Sequence, residues 1–439
     1  MALLQQIAFI IIFSSALFWF FKKITRIRRN VLLGRDKALV GNKIERFKNM
    51  TLFALGQKKM FKKITPAIFH FFIYAAFVLT QIELLEIIID GTTGSHRILF
   101  QSLESTVFVE LYIVLISVIE VLSVLALLGT FIFLWRRNIS KVVRFQKAEL
   151  KGFPFLDGNI ILVAEVWLIA CVLLANTSDM ALHSGKYGFL VSSYFYTFFA
   201  DYNQNTLQLL ERIGWWGHLF GILGFMVYLP YSKHLHIFLS FPNTYYGPLH
   251  NESIGAFTNM QGVTNEVRLM LDPTHIVEAT ADELPMKFGA KDVIDLTWKN
   301  LLDAYSCTEC GRCTAACPAN QTDKILSPRK IMMDTRDRVE QLADYIDKNK
   351  GDTTAHDGKS LLHDYVSVEE LNACTTCNAC IEACPININP LDIIIQMRRY
   401  LVMEESTAPV EWNGMFSNIE NNMAPWKFNP DERAAWAGK

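Results

Sequence analysis

Eight of the nine cysteines fall after residue 300, in two runs, CTECGRCTAACP and CTTCNACIEACP. The first run supplies Cys307, Cys310, Cys313 and Cys317, closed by Pro318; the second supplies Cys374, Cys377, Cys380 and Cys384, closed by Pro385. Each reads C-x2-C-x2-C-x3-C-P. Three thiolates on so tight a loop can cap one face of a [4Fe–4S] cube, while the fourth reaches across to a second cube. One cluster is therefore expected on Cys307, Cys310, Cys313 and Cys384, the other on Cys374, Cys377, Cys380 and Cys317. Zinc is the competing metal, but zinc ribbons do not use a four-cysteine run closed by proline. Short spacings favour metal over disulfides and point to a reducing compartment for this half. Two such cubes conduct electrons and carry no substrate chemistry of their own.

A second set of residues is histidine. The stretch GHLFGILGFMVYLPYSKHLHIF, residues 217–238, is apolar yet holds His218, His234 and His236. Imidazole in hydrocarbon is costly unless it is used. Read as one helix, His218 and His236 lie five full turns apart on one face, with a rise of roughly 27 Å, near the hydrocarbon thickness. His234 falls about 160° away from His218 on the same reckoning and is expected to face elsewhere, beside Lys233. Two stacked imidazoles suit axial ligation of one or two b-type haems, each needing a second histidine from another helix. The plainer alternative is interfacial histidines with hydrogen-bonded tips. By depth, His70 suits His236. For His218 the candidates are His96 and His183, both beside span ends, and the choice stays open.

These residues need a membrane to sit in. Five apolar runs are long enough to span a bilayer: roughly Ala2–Phe21, Pro66–Ile89, Thr106–Trp135, Asn159–Asn176 and Ile213–Leu239. The first lacks a basic leader and a small-residue cleavage site, so it reads as a span rather than a signal peptide. Lys22 to Lys63 holds fourteen Lys/Arg against two acids, and Arg136 to Lys151 holds six Lys/Arg; the loops at 90–105 and 177–212 hold one and two. The basic loops place the N-terminus outside and the chain beyond the fifth span in the cytoplasm, in a multi-pass protein of the inner membrane. The polybasic stretch also suits anionic lipid. Net charge is -1 overall, which predicts no nucleic-acid partner.

Glu83, Glu86, Glu110, Glu120 and Glu165 fall inside the spans, with Glu104 at an edge. Each is either a proton relay to a quinone or one end of an interhelical hydrogen bond. Cys171, mid-span, reads as a packing residue. Trp215 and Trp216 read as interface anchors or as a wall for a quinone headgroup.

Between the cysteine runs, Ser327 and Pro328 open a helix over IMMDTRDRVEQLADYIDK, and residues 351–358 read as a loop. The segment DVIDLTWKNLLDAYS reads as a helix delivering Cys307, and EVRLMLDPTHIVEAT hints at short strands. After Met403 apolar periodicity is lost; Trp426 and Trp436 need a surface, either this domain's own or a partner's. The expected units are residues 1–241 in the membrane, 242–291 as connector, 292–404 as dicluster domain, and 405–439 as a partner-docking tail.

His218, His236 within LPYSKHLHIF, and His70 within IFHFF resemble the gamma-type cytochrome b subunit of respiratory nitrate reductase and the related membrane subunits of heterodisulfide reductases. In that family the second span carries two histidines ten residues apart; here the tenth residue after His70 is Thr80. Residues 288–399 are similar to the iron–sulfur part of heterodisulfide reductase-like proteins, and NNMAPWKFNPDERAAW resembles the segment that precedes their cysteine-rich CCG domains. The resemblance implies a mainly α architecture: a five-helix transmembrane cytochrome b bundle, then a cytoplasmic, mostly helical dicluster ferredoxin domain. It implies an oxidoreductase subunit that passes electrons between the quinone pool and a separate CCG-bearing iron–sulfur subunit. The rivals are a redox sensor or membrane scaffold, and a subunit of a proton pump. On the leading reading, purified protein should carry about eight irons in clusters and a bis-histidine b-type haem spectrum, checked by iron assay and visible absorption. Intact clusters without that spectrum would remove the haem.

Overall fold

In the computed structural model, residues 3–37, 39, 41–183, 185, 187–249, 261–272, 274, 287–427, 429–432 and 434–438 are described. Five helices are long and apolar enough to cross a membrane. They are α1 (Leu3–Val31), α3 (Ile64–Thr93), α4 (Thr106–Asn138), α5 (Phe153–His183) and α6 (Gln204–Tyr228); α2 (Lys43–Met50) lies in the basic connector after α1. Without water to satisfy the backbone, helix is the form these apolar runs must take. Helix α5 packs along α6, α3 along α4, and α1 against both α3 and α6. Helices α5 and α6 come close at Gly214, where a Cβ would meet the Ala175 nitrogen at 2.6 Å. Only glycine admits that contact, the usual device of helix pairs in lipid.

The expectation of one unbroken helix through His236 is overturned. Helix α6 ends at Tyr228; a 3-10 turn at Leu229–Tyr231 carries Pro230, a second turn covers Lys233–Leu235, and α7 (His236–Tyr245) starts afresh. Proline removes a donor and clashes with the preceding turn. The break is held by Asp157 near the start of α5. It accepts from the Tyr228 hydroxyl (2.5 Å), the Ser232 hydroxyl (2.7 Å) and the Lys233 amide (3.1 Å). The phase and rise calculated from a continuous helix therefore do not apply to His234 and His236.

Helix α8 (Gln261–Leu271) replaces the strands expected for EVRLMLD; the rest of that piece lies almost wholly outside the described residues. The second half is helical: α9 (Trp298–Ser306), α10 (Arg312–Ala316), α11 (Pro328–Lys348), α12 (Ala379–Ala383), α13 (Pro390–Met403) and α14 (Val410–Asn422). No strand occurs among the described residues. Ser327 caps α11, its side chain accepting from the Lys330 amide, and Pro328 takes the first turn.

The two halves are joined at the end of the bundle that carries both basic loops. Lys23 and Arg26 of α1 bind Glu340 of α11 at 2.9 and 3.1 Å; Arg26 also binds Asp344 and Asp347, and Arg29 binds Asp347. In the second basic loop the Arg144 carbonyl and the Glu149 carboxylate both accept from Arg329, at 2.7 Å each. One apolar core includes Ile27 and Val31 of α1 together with Leu301, Ile331 and Ile393. Basic residues that would set topology thus also dock the second half.

Arg338 of α11 is fully buried. It pairs with Asp292 at 2.6 Å and Asp357 at 2.6 Å, and donates to the Lys359 carbonyl at 2.8 Å. Its loss strands a buried carboxylate. Arg338→Ala should destabilise the cysteine-bearing half by about 3–5 kcal/mol, seen as a lower denaturant midpoint for bleaching of cluster absorbance.

Candidate functional site

The two cysteine loops share one backbone. In each, the residue before the second cysteine and the residue after it are left-handed: Glu309 (φ 55°) and Gly311 (φ 69°) in the first, Thr376 (φ 56°) and Asn378 (φ 63°) in the second. The Glu309 amide donates to Cys307 Sγ at 3.4 Å, and the Thr376 amide donates to Cys374 Sγ at 3.5 Å. Each loop then enters a short helix, α10 or α12, and these two pack on each other. Left-handed glutamate and β-branched threonine are strained choices that persist only when surroundings dictate them.

The thiols fall into two neighbourhoods. Cys313 lies within electrostatic reach of Cys307, Cys310 and Cys384 and, across the boundary, of Cys380; Cys380 lies within reach of Cys374, Cys377 and Cys317. All nine cysteines are free of disulfides. Burial pushes the thiols of Cys307 and Cys380 up to about 12 and that of Cys384 up to about 11. Their conversion to thiolate ligands is thus work that iron itself must do. Cys377 is the exposed member, whereas Cys307 and Cys317 are buried.

Glu309, at a variable position of the motif, ties the first loop to the membrane half. It accepts from Lys233 at 2.5 Å and from Arg336 at 2.7 Å, with its own side chain 3% exposed. Burial alone would raise its carboxyl, but Arg336 and Lys233 outweigh that and hold it below the ordinary range. Lys233 belongs to the turn before His236 and donates a further bond to the Pro154 carbonyl.

Three histidines are held alike. Nδ1 of His70 faces Gln57 Oε1 at 3.2 Å, Nδ1 of His218 faces the Leu168 carbonyl at 3.0 Å, and Nδ1 of His236 faces the Lys233 carbonyl at 3.1 Å. A carbonyl partner fixes the proton on Nδ1 and leaves Nε2 with its lone pair, the tautomer in which ligating histidines are held. Gln57, itself in the left-handed region, has no signal in the sequence. His70, His234 and His236 gather at one place: the rings of His234 and His236 meet edge to face at 5.3 Å, and His234 lies within electrostatic reach of both others. Helical phase would turn His234 elsewhere; the break at Pro230 brings it back.

His96 and His183 are placed differently. His96 Nε2 and His183 Nδ1 both bond Asp179 Oδ1, at 3.1 and 2.6 Å. Thr80, in place of a second histidine on α3, donates its hydroxyl to the Phe77 carbonyl. A small cavity of about 50 Å³ is lined by Glu83, Glu86, His96, Arg97, Glu211 and His218, among others. Of the span acids, Glu120 is satisfied by Asn176, Ser192 and two loop amides, and Glu86 by Tyr112, Arg97 and the Leu99 amide. Glu104 and Glu110 are exposed. Glu83 stands at the cavity wall with Arg97 at 4.0 Å, too far for a hydrogen bond.

Residues 306–388 match the 4Fe-4S dicluster domain family. The chain is 26% identical to the probable iron-sulfur-binding oxidoreductase FadF of Bacillus subtilis, over 98% of this chain and 60% of that protein. It is 27% identical to the EtfAB:quinone oxidoreductase of Syntrophomonas wolfei, over 96% of this chain and 58% of that one. It is 31% identical to the probable membrane-anchored ferredoxin of Chromohalobacter salexigens, over 36% of this chain and 25% of that protein. The chain thus spans about 60% of the length of the first two relatives. No solved structure matches. The chain carries a 4Fe–4S dicluster domain behind five candidate membrane helices.

If the fourth cysteine of each run serves the other cube, Cys384→Ser and Cys310→Ser should diminish the same electron paramagnetic resonance signal, and Cys317→Ser and Cys377→Ser the other. Loss of one signal by Cys384→Ser and Cys377→Ser together would show that each run holds its own cube.

Proposed function

We propose that this protein is a membrane-bound electron-transfer oxidoreductase subunit, carrying electrons between quinone and an iron–sulfur partner. The observation that carries the reading is the common anchoring of His70, His218 and His236 through Nδ1, with one of them wired to a cysteine loop. His70 and His236 are the residues that would hold one b-type haem. The donor set fits that group: two neutral imidazoles at the head of the second half, each with Nε2 free and its opposite nitrogen fixed. Haem there and the two [4Fe–4S] clusters would supply one-electron carriers in series.

The protein's own residues set the order. From His236 the route passes Lys233 and Glu309 to the loop of Cys307, Cys310 and Cys313. The loop of Cys374, Cys377 and Cys380 comes second and opens to the surface at Cys377. A quinone headgroup is assigned to the neighbourhood of His218, with His218 and Glu83, at the wall of the small polar cavity, as proton acceptors. Where the resembling cytochrome b family carries a second histidine on the span of His70, this chain has Thr80, so His218 is read as part of the quinone site and not as the ligand of a second haem. Basic loops at the end that meets the dicluster domain support a cytoplasmic placement for that domain and an N-terminus outside, in the inner membrane.

The partner surface is the tail. Val410, Phe416, Ile419, Met423, Trp426 and Trp436 are exposed, and no residue of α14 is buried. The start of the tail is tied to its own domain, Glu405 pairing with His363 at 2.8 Å, but this apolar strip stays open, and an iron–sulfur module of the CCG type is assigned to it. The names of the two long relatives, an iron–sulfur oxidoreductase and a quinone oxidoreductase, support the same reading.

His236→Ala should abolish the b-type haem spectrum while cluster absorbance persists, and quinol-driven cluster reduction in membranes should fall to background. Unchanged cluster reduction in a haem-free, folded variant would favour a scaffold or sensor instead.

A further inference from the structure

We infer that His96, Asp179 and His183 form a binding site for a divalent transition-metal ion, with zinc as its reference ion. Among the described residues, this is the group of three metal-binding side chains whose ligand atoms all lie within 4.8 Å of one another. Asp179 and His183 stand one turn apart at the end of α5, so both project from one face. His96 comes from the connection after α3, and its ring stacks on that of His183 at 5.2 Å and 25°.

The site is built and polar. The Asp179 side chain is 3% exposed, whereas His96 and His183 are 35% and 40% exposed, so an ion has a path in and room for a water as fourth ligand. Both imidazoles aim a ring nitrogen at the same carboxylate oxygen, at 3.1 and 2.6 Å. Around a tetrahedral zinc with bonds of about 2.0–2.1 Å, ligand atoms lie about 3.4 Å apart. A modest spreading of the two partly exposed rings therefore converts the hydrogen-bonded triad into a coordination site. The ring protons would move to His96 Nδ1 and His183 Nε2, and no proton need leave the site. The second oxygen of Asp179 is buried without a hydrogen bond, its nearest cation being Arg97 Nε at 3.5 Å.

Charge favours a cation here. Glu83, Glu86, Asp90, Asp179 and Glu211 line one cavity with a single guanidinium, that of Arg97. Nitrogen and carboxylate donors select zinc, copper, nickel or cobalt over magnesium and calcium. The triad joins the connection after α3 to α5 at the rim of the His218 cavity, so an ion bound there would also clamp that rim. This last consequence rests on the quinone reading; the binding itself does not.

The test uses iron-replete, full-length protein in detergent, freed of adventitious metal and titrated with zinc against a chromophoric chelator. One zinc per chain is expected above the background of a His96→Asn/His183→Asn double variant, and Asp179→Asn should weaken binding by at least about tenfold. Iron content and cluster absorbance confirm that the variants are folded. Should the α5 variants misfold, His96→Asn alone, in a half-buried connection outside the helices, must still weaken zinc binding. No zinc bound by the wild type, or binding indifferent to these substitutions, overturns the site. Zinc that binds but leaves quinol-driven cluster reduction unchanged would retain the metal site and remove the rim effect.

Discussion

One buried carboxylate ties the two halves of the molecule together. Glu309 sits between two cysteines in a left-handed conformation, and it is pulled there by Lys233 from the membrane side and by Arg336 from α11. A buried ion pair of this kind is a poor source of net stability, because desolvating three charges offsets most of their attraction. Its value is positional. A carboxylate with two fixed cationic partners has one place to be, and the cysteine loop is set by that place. The charged contacts of α1 with α11 then act around this point as a screened, partly exposed network that fixes orientation more than energy.

The polar chemistry of the membrane half is divided between its two ends. At the end facing the cysteines, His70, His234 and His236 are gathered among apolar neighbours such as Phe225. At the other end, acids outnumber Arg97, the one arginine lining the cavity, and His96 and His183 serve a carboxylate. Histidine therefore does different work at each end. A ring whose far nitrogen is anchored on a carbonyl presents its other nitrogen for ligation, while His96 and His183 turn a nitrogen each onto one shared carboxylate oxygen.

Much of this is legible from residue order. Cysteine spacing locates the dicluster domain, hydropathy locates five spans, and Ser327–Pro328 locates the start of α11, because each is a local signal repeated or capped in a known way. The fifth span misleads for an equally local reason. Hydropathy runs smoothly through Pro230, whose missing donor ends the helix, and the capture of Tyr228, Ser232 and Lys233 by Asp157, seventy-odd residues upstream, fixes how the chain turns there. Gln57 and Glu309 are invisible in the sequence because their partners are remote: Gln57 meets a histidine on the next helix, and Glu309 meets residues from two other segments. Pairing across the fold has no signature in spacing.

The fresh start of the chain at His236 has a mechanical meaning. Helix α7 is gripped from both sides: Asn243 donates to the Ile386 carbonyl and accepts from Lys299, while Asn49 of α2 donates to the Thr244 carbonyl at 2.7 Å. His70, by contrast, stands on a membrane helix. The joint between the halves thus runs through α7, which begins at His236, so any swing of the cysteine-bearing half would shift His236 relative to His70. Such a protein has to work as fixed wiring and not as a moving arm: its electron path is shortest only while the joint stays shut.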